Sequence, residues 1–457
     1  MNRDLTRGPV MGSMLAFAVP MILGDLLQQC YNVADTLIVG RYLGKNALAA
    51  VGSSFTLMTF LTSILLGLCM GSGAVFSIRF GQRDGDGLRE GAHAAFALIA
   101  AITLGLNLLA FACLDGIRAF LRVPDEVWPM MREYLAVIFC GIAATFLYNY
   151  FASFLRAVGN SVAPLVFLAA SALVNIGLDL WFVLGLKRGA AGAAEATVIA
   201  QYLSGAGIAA YTLAKHPGLR PGGGRFRLRW GRVREIAGFS ILTCVQQSVM
   251  NLGILLVQGL VNSFGTGVMA AFAAGVKIDA FAYMPVQEYG NAFSTFIAQN
   301  MGARQPERIR RGVRCGVLTV VSYCAAVSLI LWFLARPLIF IFIDPGETAV
   351  VAEGVRYLHT VGPFYCGIGC LFLLYGLYRA LGRPAVSLVL TVISLGTRVA
   401  LSYALAPLPE IGVAGIWWSI PIGWALADLT GFLIYLKNRE RLMPPMGREE
   451  RPEPPRA

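Results

Sequence analysis

The stretch LGKNALAAVG…RFGQRDGDGLREG (43–91) returns as FGTGVMAAFA…QNMGARQPERIRRG (264–312), at a constant offset of 221 and with no gap. Gly44/Gly265, Phe60/Phe281, Gly81/Gly302, Arg83/Arg304, Arg89/Arg310 and Gly91/Gly312 coincide. Farther along, FLRAVGN (154–160) lies over LYRALGR (377–383), and Gly189-Ala-Ala-Gly192 lies over Gly412-Val-Ala-Gly415, both at an offset of 223. The 457-residue chain is therefore built from two related halves, a plan typical of membrane transporters whose moving site lies between or within the halves.

Composition points the same way. Hydrophobic residues make up 57% of the chain and charged residues 14%, against about 25% charge in a soluble globule. The apolar residues come in long runs rather than amphipathic stripes, and a span needs about 20 of them. Twelve runs qualify, roughly at 11–38, 46–79, 91–114, 127–155, 162–186, 192–214, 235–263, 268–300, 313–335, 350–378, 384–406 and 413–436. The net charge of +12 does not indicate nucleic acid. With twelve spans and both ends inside, 26 Lys/Arg fall in inner segments, Arg156 and Arg379 among them, and seven in outer ones. That bias predicts cytoplasmic termini. The N-terminus runs into the first span without a small-residue cleavage site, so no removable signal peptide is expected. Nine cysteines are scattered. Cys366 and Cys370 sit one helical turn apart, but no further Cys or His clusters near them, and packing is the expected role.

The predicted fold is an all-α integral membrane protein, twelve transmembrane helices in two six-helix bundles related as parallel repeats. Residues 1–214 form the first bundle. Residues 215–234 form a basic, Gly/Pro-rich cytoplasmic linker, and residues 235–442 the second bundle. The Pro-rich, charged tail 443–457 is expected to be disordered. Six spans per half is an even number, so both halves start on the same side.

At this point the sequence resembles the multidrug and toxic compound extrusion (MATE) transporters of bacteria. The resemblance covers nearly the whole chain. It rests on the two six-span halves, on Pro20 and Asp35 in span 1 (VPMILGDLLQQCYNVADTLIVGRYLG), on Asn175 with Asp179 in span 5 (LVNIGLDLWF) and on PVQEYGNAFSTFIAQNMGA (285–303) in span 8. It implies two helical bundles around a central cavity open alternately to each side. It also implies export of cationic, amphiphilic compounds against inward proton or sodium flow, in the cytoplasmic (inner) membrane. No cofactor beyond the coupling ion, no nucleic acid and no obligatory protein partner is implied. A monomer in the lipid bilayer suffices.

Charge inside a span is expensive and marks function by default. Asp35 lies deep in span 1, with Tyr31 one turn before it on the same face; Asn175 and Asp179, four apart, share a face of span 5. Thr197 lies in span 6. The resemblance places all five in one cation-coupling site. Carboxylates, an amide oxygen and hydroxyls suit a hard cation, so sodium is open at Asp35, Asn175 and Asp179. Two close, desolvated carboxylates could equally share a proton. At the repeat offsets Asp35 aligns with Leu256, Asp179 with Ser402 and Asn175 with Arg398. The acidic set belongs to the first half alone, which places the coupling there. Pro20 removes a helix hydrogen bond fifteen residues before Asp35. It serves either as a static kink or as the point where span 1 bends during the cycle.

The second half carries Lys277, Asp279 and Glu288 in span 8 and Arg398 in span 11. Glu288 aligns with Gly67, so the common fold does not require it. It serves either a substrate or second cation, or an ion pair with Arg398 or Lys277. Asp25 and Glu195 carry no assignment, and Asp428 is expected in polar surroundings at the inner end of span 12. Tyr148, Tyr150, Phe151, Phe281 and Tyr283 are candidates for stacking on flat cations. A lipid-linked precursor flippase of the same superfamily is the main alternative; twelve spans and the acidic set weigh against it. Three histidines, no HExxH and no P-loop leave no motif for an enzyme, and no selectivity filter argues for a channel.

Overall fold

A computed structural model describes residues 3–43, 45–121, 125–220 and 229–442. Residues 221–228 of the predicted linker and the tail 443–457 lie outside the described residues. Among the described residues every regular element is helical.

Twelve helical passes follow the predicted runs. They are span 1 (Val10–Leu43), span 2 (Lys45–Gly81), span 3 (Gly85–Ala112), span 4 (Trp128–Cys140 and Ile142–Ala157) and span 5 (Val162–Leu180, ending in a π turn at Trp181–Gly185). Span 6 (Gly189–Lys215), span 7 (Trp230–Asn262), span 8 (Thr266–Gly302) and span 9 (Pro306–Ile339) follow. The last are span 10 (Thr348–Val361 and Tyr365–Ala380), span 11 (Pro384–Leu405) and span 12 (Val413–Leu442). Ten of these are long and apolar enough to cross a bilayer, and span 4, bent by 41°, makes an eleventh. Span 6 is 27 residues long but Gly- and Ala-rich, and its small residues pack against spans 4 and 5. Several helices reach 33 to 37 residues, well beyond the ~20 a bilayer needs, so they project past it.

The repeat is written in the backbone. Span 2 ends with Arg83 in the left-handed region (φ 57°) and span 8 with Arg304 (φ 54°). That conformation costs an L-residue roughly 1–2 kcal/mol. It is held by the same return bond at both ends, Asp84 N to Arg79 O (3.1 Å) and Gln305 N to Asn300 O (3.0 Å). Spans 4 and 10 end likewise at Gly159 (φ 85°) and Gly382 (φ 78°). The basic loops after spans 2, 4, 8 and 10 define one end of the molecule, called here the basic end.

Two cores result, one chiefly from each half. They are not segregated by sequence at the basic end. Met14, Phe17, Ala18 and Met21 of span 1 belong to the second half's core, and Ile236, Phe239 and Cys244 of span 7 pack in the first half's. Two close approaches permit this exchange. Spans 2 and 8 cross backbone to backbone: a Cβ on Gly81 would stand 2.0 Å from Gln299 O, and one on Gly302 2.0 Å from Ile78 O. These contacts are equivalent, since Ile78 and Gln299 are repeat partners. Span 7 lies equally close to span 2, where a Cβ on Gly67 would meet the Cys244 Cα at 2.4 Å and one on Gly71 the Phe239 O at 2.5 Å. Arg79 pairs with Glu235 (2.7 Å) and Arg232 with Glu90 (3.5 Å), tying the start of span 7 to spans 2 and 3.

The segment before span 1 closes the seam. Leu5, fully buried, donates its N–H to Gln299 Oε1 (3.2 Å), and its carbonyl accepts from Asn300 Nδ2 (3.2 Å) and Arg308 Nη2 (3.0 Å). Arg308 Nη1 also donates to Gly8 O (2.6 Å), and Arg3 N donates to Gly159 O (3.0 Å) in the other half.

Because main chain meets main chain at the crossing, no side chain there can move aside. Gly81→Ala and Gly302→Ala are each expected to cost about 1–3 kcal/mol as overpacking. Thermal unfolding of the detergent-purified protein reads this, and an unchanged midpoint in both variants would contradict the crossing.

Candidate functional site: an acidic pocket and a charged cavity

The acidic pocket is assembled from spans 1, 4, 5 and 6. Asp35 and Tyr31 come from one face of span 1, and Asn175 and Asp179 from one face of span 5. Asp179 is fully buried and Asn175 is 2% exposed. Asn175 Nδ2 donates to Thr197 Oγ1 (3.3 Å), which joins span 6 to the pocket. The carboxyl groups of Asp35 and Asp179 face each other closely enough to share a hydrogen bond. The phenols of Tyr31 and Tyr134 lie beside both. The structure thus brings Asp35, Tyr31, Asn175, Asp179 and Thr197 together. Tyr134 of span 4 was missed: one buried tyrosine in an apolar run carries no signal in the sequence.

Four oxygens in this pocket are buried without a hydrogen-bond donor: Asp35 Oδ1, Asn175 Oδ1 and both Asp179 oxygens. An unpaired buried carboxylate oxygen costs several kcal/mol unless a proton or a cation meets it. The donor set is all oxygen, which fits a hard monovalent cation as well as a proton. Span 1 runs as unbroken helix through Pro20.

The second-half charges fall elsewhere. Asp279, 7% exposed, accepts hydrogen bonds from Tyr357 and Tyr365. Arg398 lies beside this cluster. Lys277 Nζ stands 5.9 Å over the Phe342 ring. The ion pair between Glu288 and Arg398 or Lys277 is therefore not formed. Glu288 accepts instead from Asn291 Nδ2 (2.9 Å) and lines a cavity of about 90 Å3 between the halves, just above the glycine crossing.

The repeat is broken beside that cavity, where Glu288 stands for Gly67 and Ala292 for Gly71. In span 2 Gly67 lets span 7 close to backbone contact. The equivalent position in span 8 is Glu288, which cannot admit span 1 so closely. Arg156 and Arg379, expected in inner loops, line the same cavity, and Arg379 is only 5% exposed. Their signal was present in the repeated FLRAVGN/LYRALGR motif, where arginine sits among apolar residues in both halves. Asp25 lies beside Glu288 and Arg156. Glu195 pairs with Arg188 (2.7 Å). Asp428 is partly buried, and its Oδ1 is unpartnered. Tyr150 and Phe151 pack into the first core, with Tyr150 Oη donating to Ala92 O (2.6 Å), rather than lining the cavity.

Two six-span repeats enclosing a charged cavity, with a desolvated acidic pocket in one half, define a membrane transporter and not an enzyme. Comparison with known proteins gives the family. The MatE family model matches twice, at residues 20–181 and 243–404, and the chain belongs to that family, the MATE transporters. It is 30% identical over 446 residues to the probable multidrug resistance protein YpnP of Bacillus subtilis, covering 96% of this chain and 98% of the relative. It is 25% identical to a FAD transporter of Shewanella oneidensis, covering 96% of each. Its fold matches a MOP superfamily transporter from Pyrococcus furiosus with a TM-score of 0.90 at 21% identity, over 96% of this chain and 98% of that one.

The two acidic clusters should respond oppositely to amidation. Asp279→Asn weakens the acceptor of two buried phenols, and a loss of about 1–3 kcal/mol is expected. Asp35→Asn removes one of two facing carboxyl groups, three of whose four oxygens are buried without a donor, and should leave stability unchanged or raised. Melting midpoints of the two purified variants, measured side by side, check the contrast.

Proposed function

We propose that the protein is a secondary active antiporter that exports cationic amphiphilic compounds by alternating access, driven by inward flow of H+ or Na+ through the Asp35–Asp179 pocket. The observation that carries this reading is the set of four donor-less buried oxygens on Asp35, Asn175 and Asp179. Their burial is offset only when a cation or proton is bound, so the pocket's occupancy biases the first bundle between two arrangements. The cargo would sit in the cavity between the halves, with Glu288 facing its cationic group. The name of the Bacillus subtilis relative supports multidrug cargo.

In this reading the basic end faces the cytoplasm of a bacterial inner membrane, as the distribution of Lys and Arg favours. The glycine crossing then closes the inner side, and the structure corresponds to an outward-facing state. Pro20, in the half of span 1 nearer the seam, is the place where the helix can flex. A monomer carries out the whole cycle.

Purified protein in liposomes tests the proposal. Uptake of a fluorescent lipophilic cation is expected under an imposed proton gradient or an imposed sodium gradient. It should fall to the level of empty liposomes in Asp35→Asn and Asp179→Asn. Uptake that persists in both variants would remove the acidic pocket from the mechanism. Absence of uptake under either gradient would transfer the protein to the flippase reading, to be followed with lipid-linked substrates.

A further inference from the structure

The cavity between the halves holds two guanidinium groups that the export of simple cations does not use. Arg156 and Arg379 are repeat partners, at the offset of 223, and both line the cavity on which Glu288 also opens. Among the described residues neither makes an ion pair. Arg379 is fixed by neutral groups alone: Nε donates to Ser294 Oγ (3.4 Å) and Nη2 to Asn291 Oδ1 (3.1 Å). The Arg156 Nε is buried with no acceptor at all.

Asp25 and Glu288 lie near these guanidinium groups without closing an ion pair on either, and a buried guanidinium left without one is costly, more so between helices in a bilayer. Asn291 bridges the two signs of charge, accepting from Arg379 and donating to Glu288. The cavity therefore presents a fork of donors on one wall and a carboxylate on another. Forked N–H donors match the two oxygens of a carboxylate or the oxygens of a phosphate.

We propose that this cavity selects zwitterionic amphiphiles, with Arg156 and Arg379 receiving the cargo's carboxylate or phosphate and Glu288 facing its cationic group. The inference rests on the reading of this cavity as the cargo site. It narrows the cargo from cations in general to compounds carrying both charges. It also gives the paired arginines a role that neither the fold nor the acidic pocket explains.

The test uses the full chain, purified in detergent, and one xanthene dye in two forms: its cationic methyl ester and the free carboxylate zwitterion. Fluorescence anisotropy titration reads the affinity of each. The zwitterion is expected to bind about tenfold more tightly than the ester, the gain of one charge-assisted contact. Arg156→Gln and Arg379→Gln should each abolish that preference by weakening zwitterion binding, with the cationic ester bound at least as tightly as by the wild type. Arg156→Lys should keep part of it. Equal affinity for the two forms, tighter binding of the ester, or a preference that survives both glutamine variants would overturn the proposal while leaving the cavity as cargo site. Binding of neither dye would overturn both.

Discussion

The crossing of spans 2 and 8 constrains everything above it. At Gly81 and Gly302 the two halves meet main chain against main chain, in a pair of contacts related by the repeat. A bilayer offers no hydrophobic drive between helices, so close backbone approach at small residues supplies the contact. With the halves held at this point, spans 1 and 7 each lean into the opposite core, and the cavity lined by Glu288, Arg156 and Arg379 lies between the halves beside the crossing.

Departures from the repeat carry the chemistry. Glu288 and Ala292 replace the two glycines that bring span 7 against span 2, and Glu288 lines the cavity between the halves. Asp179 has Ser402 as its counterpart, and Ser402 Oγ is hydrogen-bonded to Ser419 Oγ (2.8 Å). The second half thus satisfies a position that the first half leaves unsatisfied. The fold repeats, whereas the two facing carboxyl groups of the acidic pocket do not.

The twelve passes and their pairing into halves were legible in the sequence, because apolar runs of bilayer length and a gapless repeat leave few alternatives. The acidic pocket was legible in its members, since Asp35 and Asp179 stand out in apolar surroundings and the spacing of Asn175 from Asp179 puts them on one face. Its convergence was not, because sequence spacing orients residues on one helix and says nothing of which helices meet. Arg156 and Arg379 show the opposite limit. They lie near helix ends, where positive charge is expected in loops, so a rule about orientation hid two cavity residues. The partners of Glu288 were misjudged for a related reason: Lys277 and Arg398 are the other charges of those spans, yet they lie at other levels, and Asp279 answers to two tyrosines instead.

The segment Arg3–Gly8 has a consequence for the order in which the protein is made. Its backbone is held by Gln299, Asn300 and Arg308, almost three hundred residues later in the chain. Arg3 can meet Gly159 as soon as span 4 is in place, but Leu5 and Gly8 wait for their partners until span 8 and the start of span 9 have been synthesised and inserted. Until then span 1 has no partner for the face formed by Met14, Phe17 and Met21, and the first bundle stands without its seam. The seam at the basic end is complete only when the segment before span 1 is clasped by a part of the chain made much later.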